Sequence, residues 1–335
     1  MKILVTGGAG YIGSHTVKHL TQQGHQTVVL DNLSRGHAWA VRWGQLERVD
    51  LLDQAAVREV LAQHRPDAVM HFAAYALVGE SVAHPELYYR NNFVATLNLL
   101  EAMVAEGVSR LVFSSTCATY GNPLFSPMDE RHPQAPVNPY GQSKLMSEKA
   151  IADFGRSHGL RACCLRYFNA CGCDPESELG EVHHPETHLI PCIFNALLAN
   201  RPVQLFGDDY ETPDGTCVRD YVHVLDLASA HRLALEKLSQ GRELQPAYNL
   251  GTGRGHSVRQ VIAVVEKVTG RRVEVQLCPR RPGDPPALVA SADLARQELD
   301  WQPQWTELEA AVASAWKWHC QYFCQPHEST RSPGQ

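Results

Sequence analysis

The chain has 335 residues, 44% of them hydrophobic and 20% charged, which supports a sizeable core of one large or two ordinary domains and excludes a disordered polymer. The formal net charge of −6 leaves no basic footprint for nucleic acid, so a bound anion must be held by local groups. No stretch approaches the roughly 20 apolar residues that a membrane span requires, so no membrane partner is expected.

Met1-Lys2 runs directly into Ile3-Leu4-Val5, without the apolar region and cleavage site of a secretory signal. The ten cysteines are therefore expected to be thiols of a cytoplasmic protein. Residues 2–6 read as a buried strand ending in a glycine turn, and 11–23 as a helix with Ile12, Val17 and Leu20 on one side. A strand at 27–30 ends in Asp31-Asn32. A helix around 53–64, a strand at 68–72, a long helix over 86–106 and a strand at 110–114 follow. The next helix starts near Pro139, with Asn138 as its N-cap, and leads to a strand at 161–167. This alternation predicts an α/β fold with a parallel sheet covered on both faces.

After about residue 170 the loops at 171–187 and 207–219 are long and polar. Helices are predicted at 188–199, 224–238, 257–269 and 305–323, and strands near 203–206, 247–250 and 272–277. The expected division is a cofactor-binding domain over 1–170, to which parts of 220–250 return, a substrate lobe over 171–325, and a polar tail at 326–335. Cys171 and Cys173 with His183 and His184 are the one grouping to weigh as metal ligands; its spacing matches no zinc motif, and no metal is expected.

Gly7, Gly10 and Gly13 lie in Gly-Gly-Ala-Gly-Tyr-Ile-Gly, after a strand and at the start of a helix. That context suits a dinucleotide: a tight turn, close backbone approach to a pyrophosphate, and a helix packed on its strand. Asp31, ending the next strand, suits a ribose 2′-hydroxyl and repels a 2′-phosphate, which favours NAD over NADP. Arg35 is the residue that would instead meet a 2′-phosphate, in a loop that looks mobile. Asp50 is a candidate for the adenine edge.

Tyr140 and Lys144 are one helical turn apart and share a helix face. Bringing a phenol from its usual pKa near 10 to neutrality takes about 4 kcal/mol. A positive charge about 5 Å away supplies about 3 kcal/mol at an effective dielectric of about 20. Lys144 and an oxidised nicotinamide together therefore make Tyr140 a workable base. Ser114, Ser115 and Thr116 end the fourth strand, where ligands bind in open α/β sheets, and Thr116 can relay a substrate hydroxyl proton.

These residues resemble the extended short-chain dehydrogenase/reductase family, most closely its UDP-glucose 4-epimerases. The carrying segments are Thr6–His15, Val78–Val82 (VGESV), Tyr140–Lys144 (YGQSK), Arg166–Asn169 (RYFN), Asp214–Val224, Asn249–Gly253 (NLGTG) and Arg281–Asp284 (RPGD). The resemblance implies a Rossmann-type doubly wound sheet with a smaller mixed α/β C-terminal substrate lobe, tightly held NAD, and a homodimer joined through helices of the NAD lobe. It casts Tyr140 as base, Lys144 as its electrostatic partner and Thr116 as the hydroxyl partner. The expected NAD lining is Gly7, Gly10, Tyr11, Ile12, Gly13, Asp31, Asn32, Asp50, Leu51, Phe72, Ala73, Ala74, Asn91, Ser114, Tyr140, Lys144 and Tyr167. The expected UDP-sugar contacts are Thr116, Asn169, His188, Leu189, Phe206, Arg219, Tyr221, Arg281, Asp284 and Leu288, with both arginines on the diphosphate.

This chain departs from members of that family at three positions. Ala76 stands where some carry a lysine on the NAD pyrophosphate, His188 where they have asparagine, and Leu288 where a tyrosine walls the sugar pocket. The implied activity is 4-epimerisation of a UDP-hexose through a transient 4-keto sugar, with UDP-N-acetylhexosamines as further substrates if Leu288 opens the pocket. A UDP-pentose 4-epimerase would use the same chemistry. A dehydratase would need an acid–base pair after Thr116, where this chain has Cys117-Ala118. A non-catalytic NAD-binding protein would have no need of Tyr140, Lys144 and Thr116 together.

Overall fold

The computed structural model describes residues 1–281 and 284–324. The tail expected at 326–335, and Pro282-Gly283 of the RPGD segment, lie outside the described residues.

The first half comprises β1 (Lys2–Thr6), α1 (Tyr11–Gln22), β2 (Gln26–Leu30), β3 (Gln45–Glu47), α2 (Gln54–His64), β4 (Ala68–His71), α3 (Val78–Ala83), α4 (Pro85–Tyr88), a π-helical turn (Tyr89–Val94), α5 (Ala95–Ala105), β5 (Arg110–Thr116) and α6 (Pro139–His158). Then follow β6 (Arg161–Tyr167), β7 (Asn169–Cys171), α7 (Leu189–Leu198), β8 (Val203–Phe206), β9 (Val218–His223), α8 (Val224–Ser239) and β10 (Ala247–Leu250). The last elements are β11 (Gly255–Ser257), α9 (Val258–Thr269), β12 (Val275–Cys278), β13 (Ala287–Leu288), α10 (Asp293–Glu298) and α11 (Leu308–Cys324).

Seven strands form a parallel sheet in the order β3-β2-β1-β4-β5-β6-β10. Chain order reverses between β1 and β4, which opens a crevice at the carboxyl ends of those strands. Alternate side chains go to opposite faces, as strand geometry demands. Ile3 and Val5 pack with Val17 and Leu20 of α1 and Leu227 and Ala234 of α8. Leu4 packs with Val57 and Leu61 of α2 and Leu99 and Met103 of α5. Both faces are covered, so the strands read as continuous apolar runs.

The C-terminal half carries a four-stranded sheet, in which β9 pairs with β7, β11 and β13, and a β8–β12 pair. Helices α7, α9 and α11 close a separate apolar core around Ile193, Phe194, Val261, Val265 and Val312. Trp301 is fully buried, with its indole N–H donating to the Asp226 carbonyl at 2.9 Å.

Asn138 caps α6, its side chain accepting from the Gly141 N–H at 2.9 Å. The helix expected over 86–106 instead widens into a π turn at Tyr89–Val94. Asn92 explains the widening: its amide pairs with both backbone groups of Tyr75, at 2.8 and 2.9 Å, and so ties the turn to the loop after β4. Such widened turns recur at functional sites.

Candidate active site

The cofactor side builds upward from β1. After this strand Gly7 turns with φ +71°, and a Cβ there would sit 2.4 Å from the Ala73 nitrogen. A Cβ on Gly13 would sit 2.2 Å from the Gly7 carbonyl oxygen, so α1 can pack here only as glycine. A Cβ on Gly10 would meet the protein only at the Gly7 oxygen, 3.3 Å away, so its outer side faces open space. No side chain caps α1, and its first turn holds no acidic residue. Helix N–H groups and dipole thus face the crevice, a cradle suited to a pyrophosphate.

The Asp31 carboxylate accepts from the Ala9 N–H at 3.0 Å and the Leu33 N–H at 2.8 Å. Burial raises its pKa, opposed by these two donors. Asn32 donates to Asp50 at 2.9 Å, joining the ends of β2 and the loop after β3. Tyr11 turns its hydroxyl onto the Gly172 carbonyl at 2.5 Å. Arg35 is not on a loose loop. Its guanidinium donates to Glu80 at 2.6 Å and to the His184 carbonyl at 3.0 Å, so it is already engaged rather than waiting for a 2′-phosphate.

At the end of β5, Thr116 is 7% exposed and faces Tyr140 in the first turn of α6. Burial pushes the Tyr140 phenol well above its ordinary pKa; the Thr116 hydroxyl pulls the other way. Lys144 is 3% exposed, donates to the Ser114 carbonyl at 2.8 Å and lies 4.7 Å over the Phe113 ring. Burial lowers its amine to about 7, opposed by the charge of Glu148. Ser114 and Tyr167 join their hydroxyls at 2.5 Å.

The opposite wall follows from strand register. Within β9, Arg219 and Tyr221 are two apart and share a face. Asn169 of β7 is in register with Tyr221, and Leu288 of β13 with Arg219. The Arg219 guanidinium donates to the Pro285 carbonyl at 3.0 Å and approaches Asp284 at 3.5 Å. Arg281 lies 4.0 Å over the Phe206 ring. The expected cofactor and substrate residues, from Gly7 to Leu288, all line one cleft of about 1830 Å³.

His188 precedes Leu189 at the start of α7. Its Nδ1 contacts Glu186 at 2.8 Å and Glu181 at 3.1 Å, and His183 Nδ1 lies 3.4 Å from Glu186 and 3.3 Å from Glu181. Against the effect of burial, these carboxylates hold His183 up at about 10 and keep His188 above its ordinary value. The four donor atoms lie within 4.8 Å of one another. The two imidazoles and two carboxylates contact one another, so the cluster is satisfied by its own members. The grouping weighed from sequence is not assembled: Cys173 donates to the Ser314 carbonyl at 2.9 Å, and neither cysteine nor His184 joins these donors.

Residues 3–251 match the family model described as the NAD dependent epimerase/dehydratase family. The chain belongs to that family. It is 53% identical over 318 residues to a UDP-glucose 4-epimerase of Rhizobium meliloti (strain 1021), covering 95% of this chain and 96% of the relative. A crystal structure of UDP-glucose 4-epimerase from Brucella ovis in complex with NAD superposes with a TM-score of 0.92 at 50% identity, covering 94% of this chain and 97% of that one. The enzyme from Bifidobacterium longum in complex with NAD+ and UDP gives 0.91 at 37% identity, covering 96% and 98%.

Several family-motif residues support the site from behind. Arg166 of RYFN forms a two-pronged pair with Glu148 at 2.9 and 2.6 Å, and Ser115 donates to the same carboxylate at 2.5 Å. Asp220 gathers the N–H groups of Thr252, Gly253 and Ala290 at 2.9, 3.0 and 3.1 Å, pinning the NLGTG turn. The sequence carried Arg166, Asp220, Thr252 and Gly253 inside quoted motifs but gave them no partner, because the contacts join segments far apart in the chain. Glu181 and Glu186 were missed altogether; the neighbouring His183 and His188 were the only signal.

Proposed function

We infer that this protein is a UDP-glucose 4-epimerase: an NAD-dependent enzyme that interconverts UDP-galactose and UDP-glucose through a transient 4-keto sugar. The observation that carries the reading is the single cleft that receives the glycine cradle, the Tyr140–Thr116–Lys144 group and the β9 wall together. Near-full-length identity to UDP-glucose 4-epimerases supports the same reaction.

NAD supplies a hydride acceptor and donor for the sugar C4 when bound. The Gly7–Gly13 cradle holds its pyrophosphate and Asp31 its ribose. Tyr140 takes the proton of the 4-hydroxyl, relayed by Thr116, and later returns it. Lys144 orients against Ser114 and adds positive charge beside the phenol. Arg219 and Arg281 anchor the diphosphate and Asp284 the uridine ribose, while His188, Leu189, Phe206, Tyr221 and Asn169 line the passage. The cleft leaves the keto sugar room to present its other face. Leucine at position 288 is smaller than tyrosine, which extends the range to UDP-N-acetylhexosamines.

The cofactor lobe is residues 1–170 with the α8–β10 return, and the substrate lobe is 171–325; the pairing of β10 with β6 supports this division. A homodimer through the helices of the NAD lobe is supported by Leu87 and Val104, which stay 39% and 37% exposed there. Ten free thiols and the lack, among the described residues, of a helix able to cross a membrane support a cytoplasmic enzyme.

Incubating the purified protein with UDP-galactose and no added NAD tests the reading by chromatography. UDP-glucose is the expected product. Activity that appears only on adding NAD would mean a loosely held cofactor. Silence under both conditions would overturn the assignment to this substrate.

A further inference from the structure

Arg35 joins three segments that are remote in the chain. One guanidinium nitrogen donates to Glu80 of α3 at 2.6 Å and another to the His184 carbonyl at 3.0 Å. Its plane lies 5.0 Å from the Tyr75 ring centre. Glu80 is itself held, because its other oxygen lies 2.8 Å from the Tyr88 hydroxyl, which in turn accepts from the Leu77 N–H at 3.0 Å. Beside this tie, His37 bonds the Val182 carbonyl at 3.2 Å. The loop after β2 is thus fastened to α3 on one side and to the 182–184 loop on the other. All three segments line the cleft that contains the glycine cradle.

We propose that Arg35 is a cofactor-retaining residue, a clasp with Glu80 and the His184 carbonyl that must open before NAD can leave. The proposal rests on the NAD reading above. Its logic is geometric. Asp31 and Arg35 line the same cleft as the cradle, and the contacts of Arg35 tie its walls together between residues 35 and 184, so a dinucleotide reaching from the cradle to Asp31 would have to pass that tie to leave. Ala76 provides no cation toward the pyrophosphate. Retention by a closed mouth adds to the direct contacts of the cradle and Asp31, and this chain has it where Ala76 offers no cation. The clasp also accounts for the buried Tyr88 phenol that braces Glu80 from behind, which an incidental surface pair would not need.

The test is the rate of NAD release from the holoenzyme, followed by trapping freed NAD with an excess of an NAD-consuming dehydrogenase. Arg35→Ala is expected to release NAD about three- to fivefold faster than the parent. Glu80→Gln keeps a partner for Tyr88 while removing the charge, and should fall in the same range. The double variant should be no faster than Arg35→Ala alone, since both changes open one contact. Parent release should quicken with added salt, and that dependence should weaken in Arg35→Ala. Release rates within twofold of the parent for both single variants, or fully additive effects, would overturn the clasp while leaving the cofactor reading intact. A parent protein that neither retains nor takes up NAD would overturn the cofactor reading and the clasp together.

Discussion

Tyr140 and Lys144 share the first turns of α6 yet face different partners: the phenol meets Thr116, and the amine donates to the Ser114 carbonyl at 2.8 Å. Burial drives each toward its neutral form, the phenol up and the amine down to about 7. Without cofactor the pair is therefore at rest. Lys144 alone does not make Tyr140 a phenolate; the charge of an oxidised nicotinamide is the missing contribution, so the base is expected to form only in the loaded enzyme.

Replacing Lys144 should expose this arrangement as a stability cost. Its pKa is about 7 folded and about 10.4 in a free chain. Below pH 7 the folded protein carries the buried charge and the full penalty is present. Between those values the unfolded chain binds a proton that the folded one does not, so this group makes stability rise with pH. Lys144→Met should remove the penalty, offset by loss of the Ser114 bond, and stabilise NAD-free protein by about 1–3 kcal/mol at pH 7. Urea unfolding at pH 7 and 9 checks it. The gain over the parent should shrink at the higher pH, and an equal gain at both would refute the account.

Tyr140→Phe should lower kcat by about three orders of magnitude while NAD content stays at the parent level, since only the proton-transfer group is lost. Thr116→Val should lower it by about 10- to 100-fold, because the relay is removed and the base remains. Near-parent turnover in Tyr140→Phe would exclude it as the base.

The glycine cradle separates packing from binding. Gly13→Ala forces a Cβ to within 2.2 Å of the Gly7 oxygen, so the cofactor-free protein itself should lose stability. Gly10→Ala adds a methyl whose nearest protein atom is 3.3 Å away, on the open side. It should leave cofactor-free unfolding within about 1 kcal/mol of the parent yet weaken NAD by tenfold or more, by filling space meant for the pyrophosphate. Calorimetry with and without NAD reads both. Equal losses of stability in the two variants would contradict the geometry.

Elements with their own periodicity were legible in the sequence: β1, α1, β4, β5, α6 and β6 lie close to where apolar runs, Asn138 and Pro139 place them. The short strands β3, β7, β11 and β13 were not, because two or three residues carry no period and exist only through their neighbours. The strand β9 was also missed, since its polar positions are taken up by the site: Arg219 faces the cleft and Asp220 anchors a distant turn. The grouping of Gly7, Tyr140 and Lys144 was proposed from their spacing together with their place after strands, and the three line one cleft. Arg35 was misjudged as mobile because its partners, Glu80 and the His184 carbonyl, lie far along the chain.

Leu288 gives the sharpest test of substrate range. It lies in β13, in register with Arg219, and packs beside Tyr120, Met128 and Phe168, with part of its surface on the cleft. A phenol at this point would extend from the strand into the space beside the Arg219 wall. On the proposed assignment of Leu288 to the sugar wall, a 2-N-acetyl group would need that space and a plain hexose would not. Leu288→Tyr should therefore reduce kcat/KM for UDP-N-acetylglucosamine by about 10- to 100-fold, the range expected when a pocket rejects a substrate by bulk. UDP-galactose turnover should stay within about threefold of the parent. Steady-state rates on both sugars decide it. An equal loss on both would mean that the tyrosine disturbs the β9–β13 wall itself, and that Leu288 does not set the range.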